Sequence, residues 1–334
     1  LSALRLVGPG TSAMAEPTSM PPDMSSAETN SWIRSLRSPK PDLDAWKPYA
    51  FEVEDELSRG GSVDPTGTVF ITNRECPFTC LMCDLWQYTT DESVPLGAVD
   101  AQVETALAMM PDIRHVKLYN AGNFFDDRAI TPEDRAAVAA RVGGFETVVL
   151  ENHPNLVDDR VAGWRDTAGT NVDVAMGLET IHPDVLPRLN KRMTADDFEA
   201  ATAKLLADDI SVRAFVLVRA PFMTDEEGVE WACRSVEWAF SVGVECCSVI
   251  PTRAGNGALD ALAASGEFAQ PSLASLEEVA DHCVGLGKGR VFADLWDVDR
   301  IAACPDCLAA RVDRLRTLNH TQQVLGRIVC ACGT

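Results

Sequence analysis

Cys76-Pro-Phe-Thr-Cys80-Leu-Met-Cys83 is the stretch on which both fold and chemistry turn. It follows Thr68-Val-Phe-Ile-Thr72, an apolar run of strand character. Three cysteines in so short a loop bring three thiolates to one place. Iron–sulfur clusters are held by thiolates in spaced runs of this kind. Three ligands hold three irons of a four-iron cluster and leave the fourth iron without a protein ligand. The competing readings are three buried thiols and a structural zinc site. Zinc of that type usually takes four ligands, and the nearest later cysteine is Cys233.

Outward from the loop, short apolar runs alternate with helical patterns. The runs are 67–72, 113–119, 146–150, 171–176, 211–218 and 244–250, with 290–294 a less clear seventh. Helical spacing of apolar residues, as in Val103, Ala106, Leu107 and Met110, marks 97–109, 131–141, 156–164, 194–207, 225–241 and 273–286. Strands alternating with helices predict parallel βαβ units and right-handed crossovers. Six units fall short of a full barrel. The expected fold is α/β, a partial (β/α)6 barrel of TIM type over residues 66–289. Strand C-termini and the loops after them carry the chemistry in that architecture.

The flanks read differently. Residues 1–30, rich in Ser, Pro, Met and Gly, are expected to be a disordered leader. Residues 31–65 are read as an N-terminal helical extension that breaks at Gly60-Gly61 and Asp64-Pro65. Residues 290–334 form a Cys-rich C-terminal extension. The 334-residue chain is 46 % hydrophobic, ordinary for a protein with a real core. No apolar run reaches the ~18 residues of a transmembrane helix, so no membrane partner is expected. A net charge of −21 argues against a general nucleic-acid surface, because phosphate binding needs clustered Lys and Arg. Eleven cysteines without a secretory signal fit metal ligation in a reducing cytoplasm better than disulfides.

Polar residues cluster at the strand ends. After the second strand comes Lys117-Leu-Tyr-Asn-Ala-Gly-Asn-Phe-Phe-Asp126, where Gly122 lets backbone approach a ligand closely. After the third comes Glu151-Asn-His-Pro154. Glu151 is placed to hold ribose hydroxyls or substrate, and His153 is read as a loop histidine rather than a metal ligand, since no second ligand is spaced to join it. Glu179, at the end of the fourth strand, points into the barrel mouth, with Asn190-Lys191 in the following loop. Arg213, among apolar residues of the fifth strand, needs a partner. A cofactor carboxylate or an inward acidic residue would serve, and Arg219 is its rival. Cys246 and Cys247, adjacent on a strand, face opposite sides. Cys233 and Cys283 are read as core thiols.

Together these segments resemble the radical S-adenosylmethionine (SAM) superfamily. The branch is that of the elongator-type enzymes and the radical SAM protein of archaeosine synthesis. The resemblance covers about 66–265 and rests on the cysteine loop through Asp84, the segment 117–126, Gly177-Leu-Glu-Thr with Leu189-Asn-Lys, and Val212-Arg-Ala-Phe-Val-Leu-Val. It implies that SAM is chelated by the open iron of a [4Fe–4S] cluster held by Cys76, Cys80 and Cys83. It implies that Asn120, Gly122 and Asn123 line the methionine end of SAM, although the usual Gly-Gly-Glu is absent. Ile250 and Pro251 would lie beside the adenine, with Arg253 and Asn256 reaching toward SAM or substrate.

The tail carries Cys304-Pro-Asp-Cys307 and Cys330-Ala-Cys332, joined by an Arg-rich helical run. Two cysteine pairs so joined read as one four-ligand metal site. A second [4Fe–4S] cluster is the first expectation and zinc the second.

The expected function is that of a radical SAM enzyme. The resemblance implies that one electron, from a donor such as flavodoxin or ferredoxin, cleaves SAM to methionine and a 5′-deoxyadenosyl radical, which would take a hydrogen atom from a small polar metabolite of specialised biosynthesis. Tyr119, Phe124 and Phe125 are expected to wall the site. The second cluster would assist by binding substrate, passing electrons or donating sulfur. A sulfur-inserting enzyme and a tRNA-base-modifying enzyme of the archaeosine type are the alternatives. The acidity, and the lack of an acetyltransferase-like segment, weigh against tRNA. A zinc-bearing scaffold protein is the reading from another class.

Overall fold

A computed structural model describes residues 24–332. In chain order, α1 (Ser26–Ser35) precedes β1 (Ala50–Leu57) and β2 (Val63–Ile71). The short β3 (Asn73–Arg74) and β4 (Thr89–Thr90) flank the cysteine loop and pair with each other. Then follow α2 (Ala98–Ala108), β5 (His115–Asn120), α3 (Pro132–Val142), β6 (Thr147–Glu151), α4 (Asp159–Ala168) and β7 (Asn171–Glu179). The second half is α5 (Val185–Arg188), α6 (Ala195–Ala207), β8 (Ser211–Val218), α7 (Asp225–Ser241), β9 (Cys246–Pro251), α8 (Ala258–Ser265), α9 (Leu273–Gly285), β10 (Arg290–Ala293) and α10 (Pro305–Thr321).

One sheet runs β1-β2-β5-β6-β7-β8-β9-β10. β1 is antiparallel to β2, and every other neighbouring pair is parallel. The result is the partial α/β barrel, with β10 as a seventh parallel strand. The segment expected to stand apart from residue 290 therefore begins inside the sheet. Alternation splits each strand between two environments. Val69, Leu118, Val148, Val174, Val216, Val249 and Val291 face the helices and are fully buried in one apolar layer. The opposite face lines a lumen, across which Phe70, Tyr119 and Phe215 follow in edge contact at 6.4 and 5.9 Å. Helix starts obey local chemistry: Thr194 and Thr224 form capping boxes with Asp197 and Glu227, and Thr131 caps a helix opened by Pro132.

Two expectations for the N-terminal flank need correction. Helix α1 begins at Ser26, inside the stretch read as a disordered leader, because Ser25 and Glu28 complete a capping box. The rest of that leader, 1–23, lies outside the described residues. The extension read as helical contains a strand, β1, joined to β2 by a turn in which Gly61 takes φ +85°. Glu52, Glu54 and Glu56 alternate along β1, which is strand spacing.

The sheet stays open, but its seam is bridged. Asn319 of α10 accepts from Ala293 N and donates to Ala293 O, and Gln322 does the same with Val291. Four backbone groups of edge strand β10 are thus satisfied by two amide side chains, which cover the edge. From the other side of the seam, Leu57 O accepts from Arg290 and Asp55 O pairs with His320.

Candidate active site

The cysteine loop sits at the C-terminal end of the barrel strands, fastened by side chains from four other segments. Asn190 donates to Thr79 O at 2.7 Å. Asn256 donates to Leu81 O at 2.8 Å and to Cys83 O at 3.2 Å. Asn123 donates to Cys76 Sγ at 3.2 Å while accepting from His153 N at 2.8 Å. His153 stacks on Phe78 with centroids 3.8 Å apart. Burial lowers the His153 pKa to about 3, and its ring is bonded to Lys191 O and Asn155 N, so it is a neutral supporting histidine.

The three sulfurs lie in a dry setting. Burial pushes the Cys76 thiol up to about 11 and Cys80 up to about 12, and it raises Cys83 well above the ordinary thiol value. Thiols so placed ionise only when a cation offsets the charge, which is what metal binding supplies. Lys191 is the nearby fixed cation. Burial works against its charge, but Glu179 and Cys80 hold its pKa up on balance. Lys191 and Glu179 are paired over Gly177, where a Cβ would fall 2.0 Å from the carboxylate and 2.1 Å from the ammonium.

Next to the loop, the residues expected to meet SAM leave polar capacity unspent. Both polar atoms of the Asn120 amide are buried and have no partner, and Asn73 Oδ1 is likewise unpaired. At Gly122 a Cβ would stand 2.6 Å from Asn73 Nδ2 and 3.3 Å from Asn120 Nδ2, so any side chain would fill this cradle. Unpaired buried amides cost about 1–3 kcal/mol each and fit a polar ligand held there. Glu151 accepts from Asn120 N at 3.1 Å, and burial raises its pKa to about 7. Ile250 and Pro251 end β9 on the same rim. Strain concentrates here too. Glu179, Asn190, Arg192, Arg219 and Phe222 hold φ between +52° and +70°, a conformation of order 1–3 kcal/mol per residue outside glycine.

Four expectations change. Arg213 is the third residue of β8, at the far end of the barrel from the cysteines. Its partner is Glu56 of β1 rather than a cofactor carboxylate. Arg253 turns to Asp294 at 2.9 Å and to Trp296 O, so it does not reach into the mouth. Asn256 is spent on the cysteine loop. Phe124 and Phe125 belong to the helix-side core, against Trp164 and Arg135, because the chain turns back after β5; only Tyr119 walls the lumen. Cys246 looks into the lumen toward Arg213, whereas Cys247 is in the helix-side core.

Sequence reasoning missed the lumen floor. Lys117 pairs with Glu54 and with Glu56 at 2.6 Å, and Glu56 also takes Arg213. Arg290 pairs with Glu245 at 2.7 Å beside Asp173. Burial alone would raise the Glu56 pKa, but Arg213 and Lys117 hold it far below the usual carboxylate range. The aligned charges of Glu52, Glu54 and Glu56 were the available signal.

In the tail, the sulfurs of Cys304, Cys307, Cys330 and Cys332 all lie within 4.8 Å of one another, a group able to bind a metal ion. Among the described residues no helix is long and apolar enough to cross a membrane.

No protein-family model matches the chain. An uncharacterised protein of Methanocaldococcus jannaschii is 22 % identical over 249 residues, covering 70 % of this chain and 68 % of that one. The archaeosine synthase subunit beta of Methanosarcina acetivorans is 26 % identical over 283 residues, covering 76 % and 77 %. Among solved structures, a radical SAM methyltransferase from Sphaerobacter thermophilus superposes with TM-score 0.51 at 16 % identity, covering 76 % of this chain and 78 % of its own. The radical SAM methyltransferase TsrM of Kitasatospora setae matches more loosely, at TM-score 0.44 and over 38 % of its own length. The fold is that of the radical SAM barrel, and the sequence resembles the archaeosine branch.

Proposed function

From a radical SAM barrel that keeps all three loop cysteines, we propose that this chain is an enzyme that uses a [4Fe–4S] cluster at Cys76, Cys80 and Cys83 to cleave SAM reductively. The observation that carries the reading is the unspent Asn120 amide beside the Gly122 cradle, next to three half-buried thiols. Cys76, Cys80 and Cys83 would hold the cluster, which together with SAM would supply hydrogen-atom abstraction from an unactivated C–H bond. The chain's own residues do the rest. Asn123 fixes Cys76, and Asn190 and Asn256 fix the loop backbone. Lys191 tempers the negative charge gathered at the thiolates, and Asn120 and Gly122 receive the polar end of SAM. Ile250 offers an apolar edge, and the aromatic lumen keeps water from the radical.

The substrate on this reading is a small polar metabolite. Support for this comes from the lumen face, which carries paired charges at one end and the ring contacts of Phe70, Tyr119 and Phe215 along its length. The reductant is an acidic redox protein. In a chain of net charge −21, Arg34, Arg37, Lys40, Arg74 and Arg128 line one open groove of about 840 Å3 that includes Cys76. Glu75, Asp91 and Asp126 neutralise much of that charge, and the remainder, from Arg34 and Arg74, steers a negative partner to the cluster side.

A second reading, modification of a base in tRNA, is favoured by the archaeosine synthase relatives. The basic groove would then follow phosphates. Anaerobic reconstitution with dithionite and SAM tests the main claim through release of 5′-deoxyadenosine. A loop metal with four protein ligands, or no SAM capture, would end it. Salt-dependent binding of tRNA, lost in Arg74→Ala with Arg128→Ala, would move the substrate to the second reading.

A further inference from the structure

We propose that the four tail cysteines hold a single zinc ion, closed to substrate, which staples the chain end to α10 and so fixes the free edge of the barrel. The sulfur spacing decides the nuclearity. Four thiolates on one tetrahedral zinc, with Zn–S of about 2.3 Å, stand about 3.8 Å apart. Cys307 and Cys332 are 3.9 Å apart, and all four sulfurs fit within 4.8 Å. A four-iron cluster puts each thiolate on its own iron and needs its four sulfurs much farther apart than one ion does. The spacing therefore reverses the order expected from sequence, where a second cluster came first.

The surroundings say what the ion is for. Cys304 and Cys307 stand at the start of α10, and the chain after α10 runs back to bring Cys330 and Cys332 to them. Arg314, in the middle of α10, donates to Leu325 O at 2.7 Å and to Gly326 O at 3.1 Å, holding the returning segment. The same arginine pairs with Asp281 of α9 at 2.6 Å, and Arg311 pairs with Glu277 at 2.7 Å, so α10 is anchored to the barrel's helical layer. The last turns of α10 then present Asn319 and Gln322 to β10. Fixing both ends of this unit holds the two amides against the sheet edge. Four protein thiolates also fill every position of a tetrahedral ion. No place remains for substrate, and the site holds no sulfide to donate, so the tail takes no part in sulfur insertion.

The test separates the tail from the radical site. The full-length chain with Cys76→Ala, Cys80→Ala and Cys83→Ala, purified without oxygen from cells supplied with iron and zinc, should retain one zinc per chain and show no visible sulfide-to-iron absorption. Four irons with acid-labile sulfide, or no bound metal, overturns the proposal. The staple role is read by hydrogen exchange in the otherwise native protein. Cys304→Ser should remove the zinc, leave the loop iron content unchanged, and speed exchange at Val291 and Ala293 roughly tenfold or more. Removing zinc from the native chain with a chelator should do the same, which guards against a variant that fails to fold. Unchanged exchange after zinc loss refutes the staple. Neither readout depends on SAM cleavage, so a failure of the radical reading leaves both outcomes interpretable.

Discussion

At the floor of the barrel, Glu56 meets Lys117 and Arg213, and Arg290 meets Glu245 beside Asp173. At the mouth, Asn120 buries an amide with no partner, Glu151 meets a single backbone N–H, and five non-glycine residues sit at positive φ. The same strands run between these ends, so the contrast is one of purpose. The floor spends its charges on each other, although Arg213 Nε there stays unpaired. The mouth holds strain and unspent polar groups that only a ligand repays. Stability should therefore respond to changes at the floor, and binding to changes at the mouth.

The largest effect tests the mouth. Cys80→Ala should abolish SAM cleavage while the melting temperature of the metal-free protein stays within a few degrees. Burial already keeps that thiol neutral, so alanine removes no charge interaction. A collapse of the apoprotein would show that the loop is structural, and the comparison would fail at its first point.

The floor supplies the next effect. Arg213→Ala leaves Glu56 buried with Lys117 alone, and losing one member of a buried ion set costs about 3–5 kcal/mol. Denaturant melts should show it. The pH dependence has a definite sign. The folded pKa of Glu56 is depressed, so its stabilisation is fully present above its ordinary value near 4.5 and is lost as pH falls through the lower folded value. The native chain should weaken steeply in acid, and Arg213→Ala should flatten that dependence. A variant that keeps its stability but loses SAM affinity would place Arg213 in the site after all.

Much of this contrast could be read from sequence at the mouth and little at the floor. The cysteine loop, the strand ends and the helices announce themselves by spacing, and α7 covers the whole of the expected 225–241. β1 hides because its pattern is inverted: Glu52 and Glu56 are partly buried, while Phe51 and Val53 are 40 % and 50 % exposed. A strand with carboxylates inside does not read as a half-buried strand. Nor can local spacing show that Arg213 finds its partner 157 positions earlier. Phe124 and Phe125 misled for a related reason, since they follow the strand end by sequence but the chain has already turned toward the helices. The sulfur spacing that separates one ion from a cluster in the tail is likewise a fact of three dimensions.

Glu151 sharpens the comparison through a smaller effect of opposite sign to that of Glu56. Its folded pKa is raised by burial from 4.5 to about 7. Such a carboxyl costs stability progressively as pH rises from the unfolded value to the folded one, and the full cost persists above it. Glu151→Gln should leave stability unchanged at pH 4 and raise it at pH 8, by on the order of 2 kcal/mol after allowing for partial exposure. Thermal melts at the two pH values check it. An equal gain at both would mean that shape rather than charge sets the cost.

The smallest effect on stability should come from Asn120. Its amide makes no hydrogen bond within the chain, so Asn120→Ala deletes nothing that holds the fold and removes two unsatisfied groups. The relief of about 1–3 kcal/mol from deleting an unsatisfied amide is largely offset by the cavity that alanine leaves in its place, so the net change in stability should be small and not a loss. Affinity for SAM, measured by equilibrium binding to the reconstituted protein, should fall roughly tenfold, the worth of one good hydrogen bond to a charged group. Reading both quantities on one variant matters, because each alone has a trivial explanation. A loss of stability would show that the amide has a partner in solution, and the mouth would lose its clearest unspent group. Unchanged affinity would show that the cradle beside Gly122 receives something other than SAM.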